Sequence, residues 1–251
     1  GLNILKGLKC CRQYATNRDT PRAYTSRLSA HHKFGTVSIR ETYWAIQKYL
    51  KGKSREMMTR QLYWRDFYYN ICEEHPHVFG KSYKEKYDEL EWENDSKWFS
   101  KWCKGKTGFP IVDAGMRQLN TEGWMHNRLR MIVSSFLTKD LLIDWRKGEK
   151  YFAQKLVDYD PCQNNGGWQW ASGTGTDAQP YFRIFNPWAQ SKKFDPDGTY
   201  IKKYVSELND IDPKYLHTEK GLSENKPLNY PEPIVIHKEQ RERALVMYKQ
   251  I

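Results

Sequence analysis

Apolar side chains recur along this chain at the spacing of a helix. Val112, Met116 and Leu119 stand at i, i+4 and i+7; Leu129, Ile132, Val133, Phe136 and Leu137 repeat the stripe, as do Ile201, Tyr204, Val205 and Leu208. The punctuation agrees. Ser38 and Glu41 have the spacing of a capping box, and the helix they open is predicted to run through Tyr49 and Leu50. Ser54 is a candidate cap for a second helix over residues 55–72. Pro110 suits a first helical turn, and Gly123 a helix end. Period-two alternation is scarce, with Ile234-Val235-Ile236 as the best short strand candidate. Gly221 to Pro233 reads as a polar, proline-bearing surface loop. There is no strand–helix–strand succession, internal repeat or low-complexity tract. The pattern predicts one all-α domain over residues 1–251, with long ordered connections.

Composition changes the picture in two ways. Aromatic residues make up 15% of 251, which argues against wide disorder. Lys and Arg number 41 against 30 Asp and Glu, a net charge of +11 that points to a polyanionic partner such as nucleic acid, or to a solvated basic surface. No apolar run reaches 18 residues, so no membrane helix is expected. The five cysteines (Cys10, Cys11, Cys72, Cys103 and Cys162) are odd in number and lack CxxC spacing, so a disulfide framework is not expected and a reducing intracellular compartment fits. Cys72, His75 and His77 are close in sequence without an evident fourth ligand, and no metal is expected.

Three segments carry candidate chemistry. Thr25-Ser26-Arg27-Leu28-Ser29 is predicted to start a helix ending near Gly35, where hydroxyls and free amides could hold a phosphate or simply cap the helix. Trp124-Met125-His126-Asn127-Arg128-Leu129-Arg130-Met131 sets two cations and an amide on successive turns, and Asp158-Tyr159-Asp160 follows. The stretch from Asn164 to Asp177 contains Gly166-Gly167 between Asn165 and Trp168. It reads as a loop whose backbone could approach a flat ligand, or as a turn-rich connection between core tryptophans.

Together these segments closely resemble the flavin-binding helical domain of the DNA photolyase/cryptochrome family, and most of all the class I photolyases that repair cyclobutane pyrimidine dimers. The resemblance runs from about Tyr14 to the C-terminus. It includes Trp64-Arg65-Asp66-Phe67-Tyr68, Lys106-Thr107-Gly108-Phe109-Pro110-Ile111-Val112-Asp113-Ala114 and Pro180-Tyr181-Phe182-Arg183-Ile184-Phe185-Asn186-Pro187. The family's N-terminal α/β antenna domain is absent from this chain, and residues 1–13 would be the end of an interdomain linker. A separate chain could supply the antenna.

The resemblance implies FAD as cofactor, active in its reduced anionic form. Tyr14, Thr25, Ser26, Leu28 and Ser29 match phosphate-contacting positions. Asn127, Arg130, Asp158, Asp160 and Asn164 match residues around the flavin ring: an Arg130–Asp158 pair beside it, Asp160 accepting from a ring N–H, and Asn164 facing N5. Trp168, Trp145 and Trp92 match a relay of electrons, in that order from flavin to surface. Trp64, Trp170, Asn127, Arg128 and Met131 match the lesion pocket, with Arg128 and Arg183 flanking it at DNA phosphates. Lys192 and Lys193 could add backbone contacts. Gln61 stands where the dimer-repair branch usually carries Glu; Gln61 and Trp64 are i, i+3 and should share a helix face. The implied activity is that of a carbon–carbon lyase: light-driven repair of cyclobutane dimers in DNA by electron transfer from reduced FAD to a flipped-out dimer. A cryptochrome-like blue-light sensor and a six-four photoproduct photolyase are the alternatives.

Overall fold

The computed structural model describes residues 2–176, 178 and 180–251; Gly1 and Asp177, an end of the expected loop, lie outside them. Among the described residues every regular element is helical. In chain order the helices are α1 (Leu2–Gly7), α2 (Tyr14–Asn17), α3 (Ser29–Lys33), α4 (Ile39–Tyr49), α5 (Gly52–Glu74), α6 (Ser96–Cys103) and α7 (Pro110–Glu122). They continue with α8 (Asn127–Ser135), α9 (Trp145–Lys155), α10 (Pro161–Ser172), α11 (Pro187–Phe194), α12 (Thr199–Tyr204), α13 (Glu219–Asn225) and α14 (His237–Lys249).

Where the local signal was strong, the fold follows it. Ser38 Oγ accepts from the Glu41 amide at 3.1 Å and the Glu41 carboxylate accepts from the Ser38 amide at 2.8 Å, which starts α4. Pro110 fills the first turn of α7, and Gly123, at φ 62°, ends it in the left-handed conformation. The main core forms around α7, whose Ile111, Val112, Met116 and Leu119 join one buried cluster with side chains of α8, α9, α10 and α12, while α6, α8, α11 and α12 pack directly on α7. A second core joins α1, α4 and α5 through Leu5, Leu8, Ile46, Leu50, Met58 and Leu62. The first thirteen residues, expected as a linker end, carry α1 and bury Leu5, Leu8 and Cys11 in this second core. The functional cleft lies between the two cores.

Five local expectations are corrected. Ser54 does not cap α5, which begins at Gly52 and runs to Glu74. Its hydroxyl instead accepts from the Ala15 amide (3.1 Å) and donates to the Arg12 carbonyl (2.8 Å), pinning the approach to α2; a tertiary partner outcompeted the local one. The helix expected from Thr25 is only α3, and residues 25–28 precede it as an irregular segment with Arg27 at φ 47°. Ile234-Val235-Ile236 forms no strand; the Ile234 amide bonds to the Thr107 carbonyl (2.9 Å) and the segment leads into α14. The stretch Gly221 to Pro233 is helical over its first residues, within α13, capped by Thr218. Asn164 to Ser172 is not a loop but the body of α10.

Between α8 and α9 the chain makes a π-helical turn, Phe136–Asp140, whose side chains are all buried. Lys139 Nζ donates to the Ser172 carbonyl (2.8 Å) and sits 3.3 Å from the Tyr248 ring centroid. Asp140 meets His237 Nδ1 at 2.5 Å. Helix α14 is thereby latched onto the main core.

Candidate cofactor and substrate cleft

Two adjoining chambers, of about 340 and 390 Å³, occupy the cleft. Each is of ligand-site size. They share Arg18, Gln61, Asn127, Arg130, Asp158, Asp160 and Gln163. The first is walled by Tyr14, by Thr25, Ser26, Leu28 and Ser29, and by cationic Arg18, Arg27, Lys33 and Arg65. Thr25 and Ser26 come from the irregular segment and Ser29 opens the short helix α3, so side chains and nearby cations supply most of what the helix dipole was expected to give. The second chamber is walled by Trp64, Trp170, Trp168, Met131, Asn164 and Gly167.

The shared residues are held firmly. Arg130 Nη2 donates to both oxygens of Asp158 (3.1 and 2.8 Å), and its Nε donates to the Met125 carbonyl (2.9 Å). Asp160 caps α10: its Oδ1 accepts from the amides of Cys162 (3.1 Å) and Gln163 (3.2 Å). Asn164 donates to the Glu149 carbonyl (3.1 Å), and Gln61 donates to the Met57 carbonyl (3.0 Å) within its own helix. His32 and His126 both line the first chamber, and burial pushes both down to about 4, so they are neutral at pH 7. His126 Nδ1 accepts from the Arg128 amide (3.1 Å), which starts α8.

The two glycines of α10 do different things. A Cβ on Gly166 would lie 2.2 Å from the Tyr68 ring, so this glycine lets α10 approach α5. A Cβ on Gly167 would meet nothing within 4 Å: bare backbone faces the second chamber. A flat ring could lie against it.

Of the expected site residues, the structure brings Tyr14, Thr25, Ser26, Leu28, Ser29, Gln61, Trp64, Asn127, Arg130, Met131, Asp158, Asp160, Asn164, Trp168 and Trp170 to this one cleft. Arg128 and Arg183 line neither chamber. Arg128 pairs with Asp19 (2.8 Å) and stacks over Phe194 (4.3 Å), while Arg183 is exposed. Trp145 is wholly buried at the start of α9, and Trp92 is half-buried with its ring edge against Tyr248 (6.2 Å). Sequence reasoning assigned no role to Arg18, His32, Arg65, His126 or Gln163. The stripe Met58, Gln61, Leu62, Arg65 at i, i+3, i+4 and i+7 on α5 was the available signal for Arg65, since all four line the first chamber.

Comparison with known proteins gives the class first. Residues 58–250 match the family described as the FAD binding domain of DNA photolyase. The chain therefore belongs to the DNA photolyase FAD-binding family. The deoxyribodipyrimidine photo-lyase of Alkalihalophilus pseudofirmus is 51% identical over 246 residues, which span 94% of this chain and 51% of that protein. A class III photolyase structure from Agrobacterium tumefaciens matches with a TM-score of 0.93 at 42% identity, covering 99% of this chain and 55% of its own. A Synechocystis cryptochrome structure matches at 0.90 and 31%, covering 98% and 55%. The chain spans about half the length of the curated relatives it matches. No helix among the described residues is long and apolar enough to cross a membrane, and no His, Cys, Asp and Glu cluster among them could hold a metal.

Proposed function

We propose that this chain is the FAD-binding, repairing half of a deoxyribodipyrimidine photolyase, acting on cyclobutane pyrimidine dimers in DNA. The observation that carries the reading is the meeting of two chambers at Arg130, Asp158 and Asp160, one lined by hydroxyls and cations and the other walled by Trp64 and Trp170. The residues fit FAD. Thr25, Ser26 and Ser29, with Arg18 and Lys33, supply donors and positive charge for a diphosphate. Arg130 offers positive charge beside an anionic ring, Asp160 an acceptor for a ring N–H, and Gly167 a bare face. Asn164 contributes an amide, which hydrogen-bonds without exchanging a proton. When bound, reduced FAD excited by light supplies one electron to the dimer and recovers it after ring opening.

The protein's own part is to extrude, hold and dry the dimer. Photolyases are among the base-extruding enzymes, and a dimer, poorly stacked, costs less to extrude than an intact base. Trp64 and Trp170 form the walls, Met131 an apolar surface, and the Gln61 amide a donor within the same chamber. Arg128, Arg183, Lys192 and Lys193 lie outside the chambers, where DNA phosphates would run; a charge of +11 supports that partner. Trp168 in the chamber wall, buried Trp145 and half-buried Trp92 are the residues that would relay electrons to the flavin. An antenna domain on another segment or chain, and an intracellular location in keeping with free cysteines, belong to the same reading.

The test is illumination of ultraviolet-damaged oligothymidylate with the FAD-loaded chain. Dimers disappear under light and persist in darkness; persistence under light sinks the reading. Trp168→Phe should block photoreduction of oxidised flavin while pre-reduced enzyme still repairs. A light sensor is the second reading, favoured by Gln61 and by the cryptochrome match; the same assay separates the two.

A further inference from the structure

Asp160 is the carboxylate common to both chambers, and a carboxylate has about four lone-pair positions. Two are taken at Oδ1 by the first free amides of α10. A third is taken by a residue that lies outside the cleft. Tyr69, on α5, donates its hydroxyl to Oδ2 at 2.6 Å, a charge-assisted bond. One position, on Oδ2, is left. The tyrosine is itself held: the Arg65 guanidinium lies 4.4 Å from its ring centroid and Arg65 Nη2 donates to its oxygen at 3.3 Å. The Arg65 carbonyl in turn accepts from Gln163 Nε2 (2.9 Å), which sets the register of α5 against the start of α10.

We propose that Tyr69 is a positioning residue for Asp160: it selects which lone pair of the carboxylate faces the cofactor and weakens the negative charge presented there. The proposal rests on the FAD reading above. Burial and the charge of Asp160 push the tyrosine up to about 12, so it stays a donor throughout the neutral range. A carboxylate with a donor already on Oδ2 repels an anionic reduced ring less than a bare one does. Tyr69 therefore favours the reduced cofactor over the oxidised one and orients the Asp160 contact in both.

The experiment uses the full chain loaded with FAD, as wild type, Tyr69→Phe, Asp160→Asn and the double variant. Three quantities are read: the FAD dissociation constant by fluorescence titration, the flavin midpoint potential by equilibration with redox dyes, and Tm. Tyr69→Phe is expected to raise the dissociation constant severalfold, because Asp160 is then free to turn and presents its full charge to the ring. It should also move the potential negative, beside the fall in Tm that loss of the internal bond brings. In the Asp160→Asn background the same substitution should add nothing to either effect, because the route runs through the carboxylate. A Tyr69→Phe chain with unchanged affinity and potential overturns the proposal, and so does one in which only Tm falls, which would make Tyr69 a brace between helices. Equal effects with and without Asp160 overturn it too. A wild-type chain that takes up no FAD overturns the FAD reading itself, a different failure.

Discussion

Helices α7 and α10 begin and end alike yet serve opposite purposes. Each has proline in its first turn and a left-handed glycine after its last, Gly123 at φ 62° and Gly173 at φ 87°. Helix α7 is buried without a break from Pro110 to Met116, and its buried Asp113 is fully partnered: by the Thr107 amide and hydroxyl, the Gly108 amide and the Tyr230 hydroxyl. Helix α10 buries Asn164, Asn165 and Gln169, leaves Gly167 bare, and points Asp160 toward a chamber. Punctuation makes a helix; the polarity and size of its buried face decide whether it becomes core or cleft wall.

The largest expected effect would break the core side. Asp113→Ala leaves several buried donors unpaired and should cost about 3 kcal/mol or more, read by urea unfolding. A loss below about 1 kcal/mol would mean that the carboxylate does not organise the start of α7.

Acid should act on the cleft side. His32 and His126 are held near 4 in the fold, chiefly by burial, against 6.5 when free. The unfolded chain therefore takes up their protons first as pH falls. Stability present above 6.5 is lost across the window from 6.5 toward 4, by up to about 3 kcal/mol for His126. Tm measured from pH 7.5 to 4.5 should fall, and His126→Gln should flatten the decline; an identical acid limb in the variant removes this residue from the account.

Asp160→Ala separates the two helices more finely. Lost capping should cost about 1–2 kcal/mol, far less than Asp113→Ala, while FAD affinity falls more than tenfold. Equal losses of stability would erase the contrast. The finest contrast falls on adjacent positions. Gly167→Ala should stabilise α10 by about 0.5–1 kcal/mol yet weaken FAD binding. Gly166→Ala, forced against Tyr68, should destabilise by about 1–3 kcal/mol. A reversed order would mean that the other glycine faces the chamber.

The same contrast explains what could be read in advance. The capping box at Ser38 and Glu41, and α7 with its proline and glycine, were legible because their partners lie within a few residues. Helix α10 read as a loop because Gly166-Gly167 and two asparagines weaken local helix preference; what holds it helical is packing against Tyr68 and polar contacts such as Asn165 to the Val78 carbonyl. Ser54 carried a sound local signal and lost it to Arg12 and Ala15. Most cleft residues came from the family resemblance, whose long motifs fall on the walls. Arg18, Arg65 and Gln163 stayed unassigned because their meaning lies in how α5 sits beside α10.

The latch between the π turn and α14 has a consequence for the order of synthesis. Lys139 and Asp140 are buried beneath Tyr248 and His237, which leave the ribosome about a hundred residues later. At ordinary elongation speeds of about 5–20 residues per second, those two charges wait several seconds for their covers. A nascent chain that has already assembled α7 to α10 therefore keeps a wet, open seam along the π turn. Docking of α14 closes that seam, so a segment made late finishes the packing of one made about a hundred residues earlier.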